Sequence, residues 1–330
     1  MTQVGTVTFG RRRAMLRTAM GPAIAEAMAD PVVIEIMVNP DGVLRLDRLG
    51  DGRVDTGVRL SSADVERIVR LVADHVRAEV HADAPIVSAE LPGGGERFEG
   101  LLPPVATAPC FAIRKPAVKV HRLIDYVAGG MLAPVQADLL RRAVIDRKNI
   151  LIAGGTSSGK TTFANALLAE MAGLDERIIL IEDTRELQCA APDTVALRTR
   201  PGVVGIAELV RSTLRLRPDR IVVGEVRGAE ALDMLKAWNT GHPGGIATLH
   251  ANSAHAALYR LEQLVAEGVV TVPRRLIAEA IDLVVFIQGR GTGRRIETVA
   301  EVHGLDASGG YAVIDLNPPQ LKALLKGDHP

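Results

Sequence analysis

The stretch Asn149 to Met171 constrains this chain more than any other. Four apolar residues, Ile150 to Ala153, run directly into Gly154-Gly155-Thr156-Ser157-Ser158-Gly159-Lys160-Thr161-Thr162, after which Phe163, Leu167, Leu168 and Met171 recur at helical spacing. That order predicts a buried strand, a loop able to cradle phosphate, and a helix. Gly154 and Gly159 open backbone angles closed to other residues, so successive N–H groups can converge on an anion at the positive end of the helix. Lys160 adds a mobile cation for β- and γ-phosphates, and the Thr161 hydroxyl is placed to ligate Mg²⁺. A glycine- and serine-rich surface loop holding an ordinary lysine is the bland alternative; the strand before it and the amphipathic helix after it favour nucleotide binding.

At 330 residues the chain has room for two domains, each with its own core. Apolar residues make up 47% and aromatics only 3%, so general disorder is excluded and the core is aliphatic. Lys plus Arg and Asp plus Glu number 39 each, so bulk charge points to no nucleic-acid or acidic partner, and any DNA contact would have to be local. Cys110 and Cys189 lie far apart, which suits a reducing compartment and excludes a tetracysteine zinc module. The Arg11-Arg12-Arg13 run is followed by Arg17, Glu26 and Asp30, and no apolar run approaches membrane-spanning length. A cytosolic protein without an integral membrane segment is expected.

Along the chain, residues 11–29 read as a helix that is basic at its start and broken or kinked at Gly21-Pro22. Val32 to Val38 and Val43 to Leu46 flank the turn signal Asn39-Pro40-Asp41-Gly42. Ser61 and Asp64 form a capping box before the apolar face Val65, Ile68, Val69, Val72 and Val76. Residues 91–100 carry the glycines of a loose hairpin turn, and Phe111 to Lys115 reads as a closing strand. These elements predict a small α+β domain over residues 1–117. Residues 118–135, mixing Pro, Gly-Gly and polar residues, have the composition of an interdomain connection.

From 136 to 330 strands and helices alternate, the signature of an α/β domain with a doubly wound, mainly parallel sheet. Residues 177–182, 221–224, 245–249 and 283–287 read as buried strands, with helices near 206–216, 229–238, 253–266 and 274–281. The tail from Arg294 reads as an edge hairpin followed by a short terminal helix.

Nucleotide hydrolysis needs a phosphate cradle, a carboxylate to orient metal or water, and cations to offset charge on the transferring group. In such a sheet these groups belong at strand ends. Glu182 and Asp183 follow one apolar strand and Glu225 follows another. Any one of them could simply cap the next helix, whereas two strand-end carboxylates beside a phosphate loop favour chemistry. His242 and His250 bracket a further strand, either as ordinary polar residues or as a phosphate sensor or interface contact; zinc would require ligands that are missing. Arg114 ends the first domain's last strand. Arg198, Arg200, Arg211, Arg215, Arg217 and Arg227 follow, with Arg211 and Arg215 one helical turn apart and so expected on one face.

Taken in order, ILIAGGTSSGKTT, ILIEDTREL, LRLRPDRIVVGEVRG and GHPGGIATLHAN resemble the secretion ATPases of type IV secretion and conjugation systems. The N-terminal segments EIMVNPDG and FAIRKP match the same family, so the likeness covers nearly the whole chain. It implies a RecA-like P-loop ATPase domain behind a smaller N-terminal domain, working as a ring hexamer with ATP and Mg²⁺. By that likeness Glu182 is the catalytic carboxylate of an Asp box and Glu225 acts on Mg²⁺ or water from an atypical Walker B. His250 is the nucleotide sensor of a His box, and Arg114 closes over nucleotide from the first domain. Neighbouring subunits would add an arginine, with Arg198, Arg200, Arg211 and Arg215 all open. The expected partners are inner-membrane components of the secretion apparatus, holding the protein at the cytoplasmic face. Pilus assembly and retraction motors share these boxes, and a nucleotide-gated scaffold with little turnover or a small-molecule kinase would use the same loop. The type II secretion branch usually carries a tetracysteine zinc motif, which is missing here.

Overall fold

The computed structural model describes residues 3–116, 120–200, 202–289 and 291–316, with backbone alone for 3–13 and 292. The chain divides into two compact units, Met1–Val118 and Lys119–Pro330. The expected terminal helix lies outside the described residues.

In the first unit α1 (Gln3–Ala29) bends where Gly21 takes φ 73° ahead of Pro22, whose ring cannot follow an unbroken helical turn. Leu16, Met20, Ile24 and Ala27 form its buried stripe. Strands β1 (Val33–Val38) and β2 (Val43–Arg48) pair across the Asn39–Gly42 turn, closed by Gly42 N–H donating to the Asn39 carbonyl at 2.8 Å. Next come β3 (Gly52–Arg59), α2 (Ser62–Val76), β4 (Ile86–Glu90), β5 (Arg97–Leu101) and β6 (Cys110–Arg114). The Ser61 hydroxyl caps α2 by accepting from Asp64 N–H, and Val65, Ile68, Val69 and Val72 are buried, while Val76 stays largely exposed. The six strands run in the order β3-β2-β1-β6-β5-β4, so the strand read as closing lies inside the sheet, joining the two hairpins.

The second unit begins with α3 (Leu123–Ala128) and α4 (Pro134–Ile145). Residues expected to form a connection are packed here instead: Leu123, Tyr126 and Leu132 enter the core, and the Tyr126 ring meets Phe163 edge-on at 5.1 Å. Three large apolar side chains outweigh the loop-like Pro and Gly content of that segment. Then follow β7 (Ile150–Gly154), α5 (Lys160–Ala169), β8 (Arg177–Glu182), β9 (Asp193–Arg198), α6 (Ile206–Thr213), β10 (Arg220–Val223), α7 (Glu230–Asn239), β11 (Ile246–Leu249), α8 (Ala254–Ala266), α9 (Arg274–Ala280), β12 (Leu283–Gln288), β13 (Arg295–Leu305) and β14 (Tyr311–Asp315).

The sheet order is β14-β13-β12-β7-β11-β10-β8-β9, parallel from β12 to β9 and antiparallel at the β13–β14 edge. Alternate residues of each central strand enter different cores. Leu151, Ala153, Ile179 and Ile181 face the cluster that includes α7 and α8, while Ile150, Ile152, Ile178 and Leu180 face the one that includes α4 and α5. Burial on both faces is why these strands read as unbroken apolar runs. Among the described residues no helix is long and apolar enough to cross a membrane.

Candidate nucleotide site

Register fixes where the loop lies. Because Leu249 pairs with Ala153, Val223 with Ile181 and Ile287 with Gly154, the carboxyl ends of β7, β8, β10, β11 and β12 share one rim. Ligands of doubly wound sheets bind outside that rim. The loop leaves β7 at Gly154, where a Cβ would stand 2.6 Å from the Ile287 carbonyl oxygen and from Ser158 Oγ. It turns through Ser157 (φ 61°) and Gly159 (φ 93°) into α5. Among the described residues no side chain caps α5 and no acidic residue stands in its first turn, so its leading N–H groups face outward at the positive pole. Gly155, Thr156 and Ser157 are exposed, and Thr161 and Thr162 are partly so.

Two features fit a polyphosphate. Ser158 Oγ is buried without a hydrogen-bond partner among the described residues. Lys160, 7% exposed, turns its ammonium onto its own loop, donating to the Gly154 and Gly155 carbonyls at 3.1 Å each. The Thr161 hydroxyl and the Glu225 carboxylate, both expected to meet Mg²⁺, belong to the first turn of α5 and to the segment just after β10. Among the described residues no cluster of three or more His, Cys, Asp or Glu could hold a metal unaided. So small an oxygen set suits a hard cation that keeps water and phosphate oxygens in its shell.

Lys160 opens a chain of charges along the rim. Its Nζ lies 3.2 Å from His250 Nδ1, where a neutral ring with its proton on Nε2 would accept from the ammonium. Nε2 in turn lies 2.8 Å from Glu225 Oε1, an approach that is electrostatic rather than a directed hydrogen bond. Burial, followed by the Lys160 charge, holds the imidazole pKa below its ordinary value, with Glu225 pulling the other way. Glu225 Oε2 takes Arg227 Nε at 2.8 Å, and Arg227 reaches Asp183 at 3.5 Å. Burial lowers the Arg227 pKa, but the bonds to Glu225 outweigh it and the net shift is upward.

Glu182, 4% exposed, accepts the N–H groups of Glu186 (2.9 Å) and Leu187 (2.7 Å) on Oε1. A Cβ at Gly224 would come within 3.1 Å of its Cγ, so glycine before Glu225 leaves room for the Glu182 side chain. Asp183 accepts the Thr199 hydroxyl at 2.9 Å.

The structure thus brings Lys160, His250, Glu225, Arg227 and Asp183 into one array, with Glu182 on the next strand. It gives His242 no place there: that residue lies before β11, at the opposite end from His250. Arg114 is exposed at the end of β6 in the first unit. Arg211 and Arg215 do not share a helix face. Helix α6 stops at Thr213, Arg211 is bound to Asp233 at 3.0 Å, and Arg215 lies beyond the helix in a tight turn. Arg198 and Arg200 are exposed, and Arg200 lines an open cleft with Asp183, Thr199, Val203, Arg227 and Glu230.

Arg294 escaped the sequence reading. It lies in the loop after β12, which is adjacent to β7 only through the sheet order, and no local pattern marks it.

Residues 50–288 match the type II/IV secretion system protein family. The chain belongs to that family. Within it, the conjugal transfer protein TrbB of Rhizobium radiobacter is 48% identical over 291 residues, covering 88% of this chain and 90% of the relative. The type IV secretion system protein PtlH of Bordetella pertussis is 35% identical, covering 83% of this chain and 92% of the relative. Among solved structures, the pilus retraction motor PilT with bound ADP shares the fold, with a TM-score of 0.62 at 19% identity over 92% of this chain and 85% of that one. The phosphate loop, both strand-end glutamates and His250 described above lie within the segment matched to the family.

Proposed function

We propose that this protein is a Mg²⁺-dependent ATPase, acting as a ring of six copies, that powers substrate transfer or pilus biogenesis in a conjugative type IV secretion apparatus. The observation that carries the nucleotide reading is the uncapped, glycine-bounded loop whose lysine is linked through His250 to Glu225. The 48% identity to a conjugal transfer protein supports the conjugative setting. Inner-membrane components of the apparatus would hold the protein at the cytoplasmic face.

In this reading the loop amides and α5 bind the β- and γ-phosphates of ATP, and Lys160 exchanges the Gly154 and Gly155 carbonyls for phosphate oxygens. Thr161 and Glu225 would hold Mg²⁺, which supplies charge neutralisation on the phosphate oxygens that no side chain here matches. Glu225 becomes available only by loosening its pair with Arg227, and a loosened Arg227 is free to offset charge elsewhere on the rim. Glu182, pinned on one oxygen, orients the attacking water and accepts its proton. His250 reports the exchange, because once Lys160 turns to phosphate, Nδ1 loses its donor while Nε2 still faces Glu225. Arg114 and an arginine from a neighbouring copy would complete the positive surround.

Phosphate release measured against protein concentration, together with solution mass, tests this reading. Specific activity should rise as hexamers form, and equal specific activity in a stable monomer would remove the intersubunit part. Unchanged phosphate release in Glu182→Gln would instead favour a nucleotide-gated scaffold.

A further inference from the structure

The geometry points to Arg294 as a further nucleotide-binding residue, contacting the phosphate chain from beside the Ser157–Gly159 turn of the loop. This deepens the proposed function and rests on it.

Three observations converge. First, the guanidinium lies directly on the phosphate loop. A Cβ at Gly159 would stand 2.8 Å from both Cζ and Nε of Arg294, so the missing side chain of that glycine is what admits the arginine. Second, the group is poorly satisfied. Among the described residues its hydrogen-bond acceptor is the Ser157 carbonyl, at a long 3.4 Å, and Nε is buried with no partner. A buried, unpaired donor on a charged group is costly, and its cost disappears when an acceptor arrives. Third, the surroundings call for an anion. The positive pole of α5 and the Lys160 ammonium stand on the same short loop, no carboxylate caps α5, and among the described residues none is paired with Arg294.

The position follows from topology. Strand β12 is hydrogen-bonded to β7 with Ile287 opposite Gly154, so the loop leaving β12 emerges beside the loop leaving β7. Gly289, at φ 83°, lies against the Gly293 carbonyl, and Arg294 stands over Ser157 and Gly159. Tyr126, its ring edge-on to Phe163 in the first turns of α5, is close enough to feel the Arg294 charge, which opposes a burial that still raises the phenol to about 12. The guanidinium therefore lies on the loop backbone at Ser157 and Gly159 before any ligand binds. Its planar fork suits two phosphate oxygens, a match that lysine reproduces in charge but not in geometry.

The test compares Arg294→Gln and Arg294→Lys with the unaltered full-length protein, titrating Mg²⁺-ATP, Mg²⁺-ADP and inorganic tripolyphosphate and recording ligand-free melting. Arg294→Gln should weaken ATP and tripolyphosphate by a common factor of about tenfold, the scale of one charge-assisted hydrogen bond. Arg294→Lys should recover part of it, and ligand-free melting should stay within about 2 °C. Loss confined to ATP and ADP, with tripolyphosphate unaffected, would overturn the proposal in favour of a base or ribose contact. Unchanged affinities with lower melting would overturn it in favour of a structural brace. Lys160→Ala in the same titration separates the two readings: if that variant keeps full affinity for ATP and tripolyphosphate, it is the ATPase assignment that falls.

Discussion

The two ends of β11 each carry a histidine beside a turn, yet they are built for different work. At the carboxyl end His250 bridges the Lys160 ammonium and the Glu225 carboxylate. At the amino end Gly244 and Gly245 both donate their N–H groups to Asn149 Oδ1, at 2.8 and 2.9 Å, while Asn149 Nδ2 donates to the Ala280 carbonyl. A Cβ on Gly244 would meet the Arg220 guanidinium at 2.6 Å, and one on Gly245 would overlap the Trp238 ring. Arg220 is fully buried, paired with Glu176 and donating to the Val144 carbonyl at 2.6 Å, and Trp238 donates to the Ile221 carbonyl. One continuous sequence motif therefore does two jobs. Its histidine end joins the charged array beside the phosphate loop, and its glycine end locks the strand that aims that histidine.

Separating turnover from stability should break or sharpen this contrast. The largest effect is expected at the rim formed by the carboxyl ends of the strands. Glu182→Gln should lower phosphate release about a hundredfold or more while nucleotide affinity persists, the scale of losing a positioned general base. A fall in affinity by the same factor would show Glu182 to be a binding residue. At the other end, Gly245→Ala should cost about 2 kcal/mol of folding stability by forcing Trp238 aside, with turnover per folded molecule unchanged. Denaturant unfolding beside an active-site-normalised assay checks both halves.

The histidines give a smaller and sharper comparison. His250→Ala should reduce turnover about tenfold, within the range of a single charged hydrogen bond, whereas His242→Ala should leave it within about twofold. Equal losses would erase the distinction between the two ends.

The smallest expected effect is on pH dependence. The His250 pKa is depressed below 6.5, so the folded protein resists protonation there more than the unfolded chain does. Its contribution to stability is full above pH 6.5 and is lost as pH falls from there through the depressed value. Turnover should show a matching few-fold acid limb, because a protonated ring would compete for the Glu225 carboxylate it faces. That limb should vanish in His250→Asn and persist in His242→Asn.

What could be read from the sequence follows burial. Strands β7, β8, β10, β11 and β12 announce themselves because both faces are covered and apolar residues run unbroken. Strands β3 and β9 do not. Gly52–Arg59 is almost wholly exposed at one sheet edge, and Asp193–Arg198 alternates only weakly at another, so neither carries a periodic core signal. A local reading absorbs α3 into a connection and gives no signal for α4, because Gly129-Gly130 and Pro134 outweigh Leu123, Tyr126 and Leu132. At the site, the loop residues, Glu182, Glu225 and His250 were legible as strand-end groups. The pairing of Glu225 with Arg227 and the approach of Arg294 were not, since both depend on which strands and loops become neighbours.

The central claim is that the loop from Gly154 to Thr162 grips a polyphosphate and that Lys160 is its principal cation. Nucleotide affinity and phosphate release of Lys160→Ala, measured beside ligand-free melting, test it most directly. Loss of both is expected, with melting within a few degrees of the unaltered protein. Full affinity and full turnover in a folded Lys160→Ala protein would contradict it.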